Sequence, residues 1–298
     1  MKLLITGSNG FVAGSIIAQA PAHWEVQGIS RSDPPFHTNN YIHHKLDLNN
    51  KDAVNELLAE IKPDVVIHTA AIANIDFCES NPELAENANV VITQTIAETC
   101  LKIGARLIFC STDSVFDGEK GNYSEQDLPV PINIYAQTKI AAEKVVLEAS
   151  QKNIVARLAL VIGMPVIGTG NSFLYNTIVK LKEGHECGFP IEEYRTPIDV
   201  ITLGKALLEL SKADFNGIIH LAGNTCITRF EMGKEIARIA GFPTELIAKA
   251  SGDNIPGRAR RAPNVCLDNT LSRNILKTPM LSISDGIYQT INYNKNPL

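Results

Sequence analysis

Residues 2–14, KLLITGSNGFVAG, pass from an apolar run through a glycine-rich turn into helical spacing. KLLIT reads as a short strand, and behind it Gly7, Gly10 and Ala13 stand at the GxxGxxG/A spacing, with Gly14 next. Such a strand-to-helix turn lets backbone amides approach a pyrophosphate at a helix N-terminus, whose dipole favours negative charge. A purely structural turn would use glycine in the same places, so the reading depends on what surrounds the loop.

Outward from the loop, short β-branched runs alternate with helical periodicity: a helix from about Gly10, WEVQGIS, a helix over 52–61, DVVIHTAA, a helix over 82–103, then RLIFCST. In DAVNELLAEIKP, Val54, Leu57, Leu58 and Ile61 share one helical face, with Asn50 as candidate N-cap and Pro63 beyond the end. IYAQTKIAAEKVVLEA gives another helix, and NIVARLALVIG reads as a strand apolar on both faces. The alternation predicts an α/β fold, a Rossmann-type doubly wound parallel sheet, over residues 1–163. From about Met164 the pattern loosens, and residues 164–298 are expected to form mainly a smaller substrate-binding lobe. RTPIDVITLGKALLEL and GIIHLAG, within about 195–223, still look like a helix and strand that rejoin the first sheet.

The 298 residues are 45% hydrophobic, enough for a sizeable core, and the net charge of −5 gives no electrostatic footprint for nucleic acid. The opening MKLLITGSNG is too short in apolar residues for a signal peptide or a membrane span, which makes the cytoplasm the default location. Six cysteines without a CxxC pair suggest buried free thiols rather than disulfides or zinc, and seven scattered histidines give no metal signature.

Two local patterns carry chemistry. At the end of WEVQGIS, where an acidic residue would hold a ribose 2′-hydroxyl, the chain reads Ser30-Arg31-Ser32. An arginine there can pair with a 2′-phosphate, which favours NADP(H) and leaves NAD(H) as the alternative; a solvated surface arginine is the competing reading, and Asp33 adds a charge of opposite sign. Farther on, STDSVFDG (111–118) sets Ser111, Thr112, Asp113 and Ser114 in a row behind a buried-looking strand, and YAQTK places Tyr135 and Lys139 on one helical face. A nearby ammonium stabilises tyrosinate and lowers the phenol's pKa, letting a tyrosine act as an acid near neutrality. Tyrosine and lysine at this spacing also occur by chance, and it is the three features together, glycine loop, hydroxyl cluster and YxxxK, that give the pattern weight.

Together with HTAAIANIDFCESNPELAENANV, YRTPIDV, GIIHLAG and RAPNVCLD, these motifs run through nearly the whole chain in an order that resembles the extended short-chain dehydrogenase/reductases. Within them the chain is most similar to the dTDP-4-dehydrorhamnose reductase group of sugar-nucleotide enzymes. The resemblance implies a 4-keto sugar nucleotide as substrate, hydride transfer from NADP(H), Thr112 and Tyr135 at the reacting oxygen and Lys139 on the nicotinamide ribose. It implies cofactor contacts from Gly7, Asn9, Gly10, Phe11 and Val12, from Asp47 and Leu48 near the adenine, and from Ala70 and Ala71, with Tyr135 and Lys139. Asp113, Ser114, Arg195 and Arg261 are the candidate substrate residues; Arg258 and Arg260 read equally as a solvated basic loop.

Ser114 is the clearest departure, because the reductases usually carry STDYVFDG and the related 4,6-dehydratases resemble TDEVYG. An unaided serine hydroxyl cannot take a proton at neutral pH, so dehydration is disfavoured, and the sugar pocket is altered. Ala13 for a third glycine and Thr202 near an expected aspartate are milder departures. Phe230, Met232, Glu125 and Asp127 read as packing and turn residues. Two other functions stay open: a non-catalytic NADP-binding regulatory subunit resembling the β subunit of methionine adenosyltransferase, and a sugar-nucleotide epimerase. The helices at 82–103 and 134–149 could pair across a homodimer, and packing on the sheet explains their apolar faces equally well.

Overall fold

A computed structural model describes residues 1–36, 38, 40–168, 172–251 and 257–293. Six strands form in the first half of the chain: β1 (Lys2–Thr6), β2 (Glu25–Ser30), β3 (Tyr41–Lys45), β4 (Val65–His68), β5 (Arg106–Thr112) and β6 (Ile154–Leu158). Four short strands follow, β7 (Val161–Ile162), β8 (Cys187–Pro190), β9 (Tyr194–Arg195) and β10 (Ile198–Asp199), before β11 (Gly217–Leu221). The main sheet has seven strands in the order β11-β6-β5-β4-β1-β2-β3, all parallel, with β11 paired to β6. The order reverses at β1, and open sheets of this kind bind ligands at the strands' carboxyl ends beside that reversal. This is the doubly wound α/β architecture expected of the alternation.

Helices α1 (Phe11–Gln19), α2 (Lys51–Ile61), α3 (Ile75–Ser80), α4 (Pro82–Glu86), α5 (Ile92–Ile103) and α6 (Ile134–Ala149) cross between these strands. Their starts follow the caps the sequence offers: Asn50 Oδ1 accepts from Ala53 N–H at 3.2 Å, and Asn133 Oδ1 accepts from Ala136 N–H at 2.9 Å. In the second half, α7 (Phe173–Lys182), α8 (Val200–Leu210) and α9 (Arg229–Ala240) precede α10 (Thr270–Ile275) and α11 (Ile283–Tyr293). One large core lies on the α1 and α8 side of the sheet around Leu3, Ile5, Ile16, Leu203 and Leu207. A second lies on the α2, α5 and α6 side around Leu4, Leu58, Ile96, Phe109 and Val146.

Several expectations change. The edge strand β3 was not anticipated, since YIHHK is partly exposed and lacks the apolar run of a central strand. The helix expected over 82–103 is α4 and α5 joined through a π-helical turn at Asn87–Val91. NIVARLALVIG is not one strand: β6 stops at Leu158, and β7 leaves the sheet to pair with β10. The cysteines are not all free. Cys226 and Cys266 form a disulfide, which tertiary pairing brings together from 40 residues apart, while Cys78, Cys100, Cys110 and Cys187 are buried thiols. Among the described residues no helix is long and apolar enough to cross a membrane.

Candidate active site

The glycine loop turns at Gly7, whose φ of +67° is one that L side chains rarely adopt. A Cβ there would stand 2.9 Å from the Ala70 backbone, so only glycine lets β1 and β4 open their carboxyl ends this close together. Gly10 then caps α1 with neither a side-chain cap nor an acidic residue in the first turn, leaving the positive helix end uncompensated. Asn9 Nδ2 donates to the Ser32 and Asp33 carbonyls at 2.9 and 3.2 Å, tying the loop to the end of β2. Arg31 stands exposed at that end, and the opposing charge of Asp33 is engaged by Lys45 at 2.9 Å. Asp47 is exposed beyond β3 and accepts from Asn49, while Leu48 behind it is buried. Ala70 is half-buried and Ala71 exposed after β4.

At the end of β5, Thr112, Asp113, Tyr135 and Lys139 are all buried. The Thr112 hydroxyl hydrogen-bonds the Tyr135 phenol and acts to lower its pKa, but burial outweighs it and raises the phenol well above its ordinary value. The expected lowering by the lysine therefore does not prevail. Lys139 Nζ instead donates to the Cys110 carbonyl at 2.7 Å and lies 3.9 Å from the centroid of the Phe109 ring. Burial brings the Lys139 ammonium down to about 8, with Cys110 and Glu143 acting upward. Burial also raises the Asp113 carboxyl, a shift that no residue pattern around it announces; Arg195 and the hydroxyls of Thr112 and Ser114 act against it. Asp117 and Gly118 are turn residues, Gly118 with φ of +84°.

Of the four candidate substrate residues, Asp113 and Ser114 are adjacent, Ser114 Oγ donating to Asp113 Oδ1 at 3.2 Å. Arg195 is buried on β9 within electrostatic reach of Asp113, and its Nη2 lies 3.9 Å from Glu193. Arg261 pairs with Asp76 of α3 at 3.0 Å and donates to the Ala259 carbonyl, and the neighbouring Arg260 carbonyl accepts from Asn133 at the start of α6. Two residues that sequence reasoning passed over join this wall. Glu193, buried, accepts from Arg258 Nη2 at 2.5 Å, and Arg229, at the start of α9, lies over the Phe173 ring at 4.3 Å. Burial lowers Arg229 to about 10, and Glu193 acts to restore it. Arg229 faces a cavity of about 260 Å³ that Leu160, Ser172, Phe173 and Phe189 also line. Antiparallel pairing of β9 with β12 (Ile227–Thr228) places it there, a contact no local pattern announces. The Thr228–Glu231 capping box did mark the helix start.

A third omission is Asn89, buried on the π-helical turn. Its amide accepts from Ile72 N–H at 2.9 Å, donates to Ile72 O at 3.1 Å and donates to Thr138 Oγ1 at 3.0 Å. Thr138 donates to the Tyr135 carbonyl at 2.8 Å, so one side chain links the loop after Ala71 to the helix bearing Tyr135 and Lys139. Chemically, the arrangement sets two neutral hydroxyl donors and a buried ammonium at the carboxyl edge of the sheet, with the glycine loop two strands away at the end of β1.

Known proteins are similar to this chain in sequence and in fold. The chain is 31% identical over 209 residues to dTDP-4-dehydrorhamnose reductase of Escherichia coli (strain K12), covering 67% of this chain and 69% of that one. It is 28% identical over 275 residues to methionine adenosyltransferase 2 subunit beta of Rattus norvegicus, covering 90% of this chain and 80% of that one. Its fold matches a crystal structure of dTDP-4-dehydrorhamnose reductase from Bacillus anthracis in complex with NADP, with a TM-score of 0.88 at 24% identity over 98% of this chain and 99% of that one. A family model described as the RmlD substrate binding domain matches residues 1–295, and the chain accordingly belongs to that family.

Proposed function

We propose that the chain is an NADP(H)-dependent reductase of the short-chain dehydrogenase/reductase type acting on a 4-keto sugar nucleotide. The observation that carries the reading is the burial of Thr112, Tyr135 and Lys139 together at the carboxyl end of β5, one strand from β4 and the glycine loop it adjoins. The residues present fit a dinucleotide: Gly7 turns the loop at a φ of +67°, α1 starts uncapped, and Asn9 Oδ1 is buried without a hydrogen-bond partner. Gly7, Asn9, Gly10, Phe11 and Val12 would hold the pyrophosphate, with Asp47, Leu48, Ala70 and Ala71 along the rest of the cofactor and Arg31 on a 2′-phosphate. NAD(H) is the weaker fit.

A reduced nicotinamide, when bound, supplies the hydride that reduces the keto carbon. Tyr135, kept protonated by burial, gives its phenolic proton to the alkoxide that develops. Thr112 donates a hydrogen bond to the same oxygen, a preorganised contact that strengthens as charge grows. Lys139 steadies the tyrosinate left behind and holds the nicotinamide ribose. Asp113, Ser114 and Arg195 form the wall toward the sugar, with the serine where the family's tyrosine would stand. A homodimer through the exposed Leu84, Val91 and Leu101 of α4, α5 and the turn between them belongs to the same reading, and sedimentation at micromolar concentration tests it.

The test is NADPH oxidation with a panel of 4-keto sugar nucleotides. Turnover is expected with at least one, falling about a hundredfold or more in Tyr135→Phe. Tight NADPH binding without turnover would favour a second reading, a regulatory subunit, to which the likeness to methionine adenosyltransferase 2 subunit beta gives its support.

A further inference from the structure

The β5–β6 register sets Ser111 beside Arg157, and α6 carries Glu143 over both, one turn beyond Lys139. Glu143 accepts from Ser111 Oγ at 2.5 Å and receives Arg157 as a fork, Nε at 3.0 Å from Oε1 and Nη2 at 2.8 Å from Oε2. All three side chains are buried, the arginine to 2% exposure. A two-point ion pair in such a place has little freedom to rotate, and either charge alone would be costly there. Ser111 precedes Thr112 directly, and the carbonyl that takes the Lys139 ammonium belongs to Cys110, on the other side of Ser111. The carboxylate thus joins the strand end bearing Thr112 to the helix bearing Tyr135 and Lys139.

We infer that Glu143, clamped by Arg157 and Ser111, is a positioning residue that fixes Thr112 and Lys139 against each other and supplies the counter-charge beside the lysine. The groups facing Lys139 from the packed elements are otherwise neutral. His68 of β4 is brought down to about 3 by burial, the Cys110 thiol of β5 is pushed up to about 12, and Tyr135 of α6 is raised. Burial takes the Lys139 ammonium down to about 8, with Cys110 and then Glu143 acting in the opposite sense. The inference rests on the reductase reading for what Thr112 and Lys139 do in turnover, and it is tested separately from that reading.

Replacing both partners by apolar side chains, Glu143→Met with Arg157→Met, removes the charge without stranding its partner. The Lys139 ammonium is titrated by heteronuclear NMR in the cofactor-free protein, its signal assigned with Lys139→Arg. The midpoint is expected to fall by about half a pH unit or more in the double variant, and the alkaline limb of kcat to move the same way. Ser111→Ala is expected to lower kcat by about tenfold with KM kept, the scale of one hydrogen bond to a charged group. If the double variant does not fold, Glu143→Gln gives the same midpoint measurement with the side-chain shape preserved. A folded variant whose Lys139 midpoint equals that of the wild type overturns the inference. A wild-type protein that turns over no 4-keto sugar nucleotide would instead sink the reductase reading, with the lysine midpoint still deciding the role of Glu143.

Discussion

Asp113 shows how far a single residue departs from its sequence-level appearance. In STDSVFDG it stands as one of four small polar side chains, yet it is buried where desolvation raises its pKa despite Arg195 and three hydrogen bonds from Thr112, Ser114 and the Leu160 backbone. A carboxyl whose folded pKa is raised contributes stability that is fully present below its unfolded value near pH 4 and is lost as pH rises through the folded value. Asp113→Asn removes that loss. Its Tm at pH 7 should exceed the wild type's, and melting curves repeated toward pH 4 should converge. Arg31 belongs to the same scale. Because Lys45 already engages Asp33, the Arg31 guanidinium is the charge at the β2 end left to meet a 2′-phosphate. Arg31→Ala should weaken NADPH about tenfold, one charge-assisted contact, and leave NADH within about twofold by calorimetry; equal losses for both would remove the preference. Tyr135 and Lys139 share a helical face by local spacing, and Thr112 came from the resemblance of STDSVFDG, whereas Glu193 and Arg229 carried neither signal. Those two reach the site through the pairing of Tyr194–Arg195 with Ile227–Thr228, and nothing in either segment names the other.

Among the elements, the sheet was readable because its central strands are apolar runs and its helices carry one buried stripe with asparagine caps at Asn50 and Asn133. What escaped was irregularity that leaves the hydrophobic period intact. NANVV continues the helical pattern of the segment after Pro82, so the π-helical turn it forms has no signature in the spacing. Its consequence is structural: the turn carries Asn89, whose amide satisfies both backbone groups of Ile72 and the hydroxyl of Thr138. Asn89→Ala strands a partly buried N–H and carbonyl, and should lower the unfolding free energy by about 3 kcal/mol in urea titrations. Because Asn89 ties Ile72, next to Ala71, to the helix that bears Tyr135 and Lys139, the same variant should lose turnover by more than its fraction unfolded explains. A variant as stable as the wild type would mean that water replaces the amide at no cost.

At the scale of the molecule, the second half of the chain is held by short pairings between segments far apart in sequence: β7 with β10, β9 with β12, and β8 with β13 (Ile247–Ala250). Spacing cannot disclose such contacts, which is why the cysteines read as free thiols. Tyr194 takes the Pro263 carbonyl at 2.6 Å on one side while its strand pairs with Ile227–Thr228 on the other, so Cys226 and Cys266 flank the same two-residue strand. The disulfide closes a sequence separation of 40 residues across the segment that carries Arg195. In the chain-entropy account a loop of that length adds about 4 kcal/mol through the unfolded state, and removal of native disulfides commonly costs about 2–5 kcal/mol. Cys226→Ser with Cys266→Ser should therefore shift the urea midpoint down by that free energy, and dithiothreitol should lower the wild type to the same midpoint while leaving the double variant unmoved. Since the disulfide flanks the strand that carries Arg195, the reduced protein should also show a raised KM for a 4-keto sugar nucleotide with NADPH affinity unchanged, because the glycine loop follows β1 in the main sheet, to which β9 does not belong. Identical midpoints with and without reductant would mean that the paired strands alone hold these segments together.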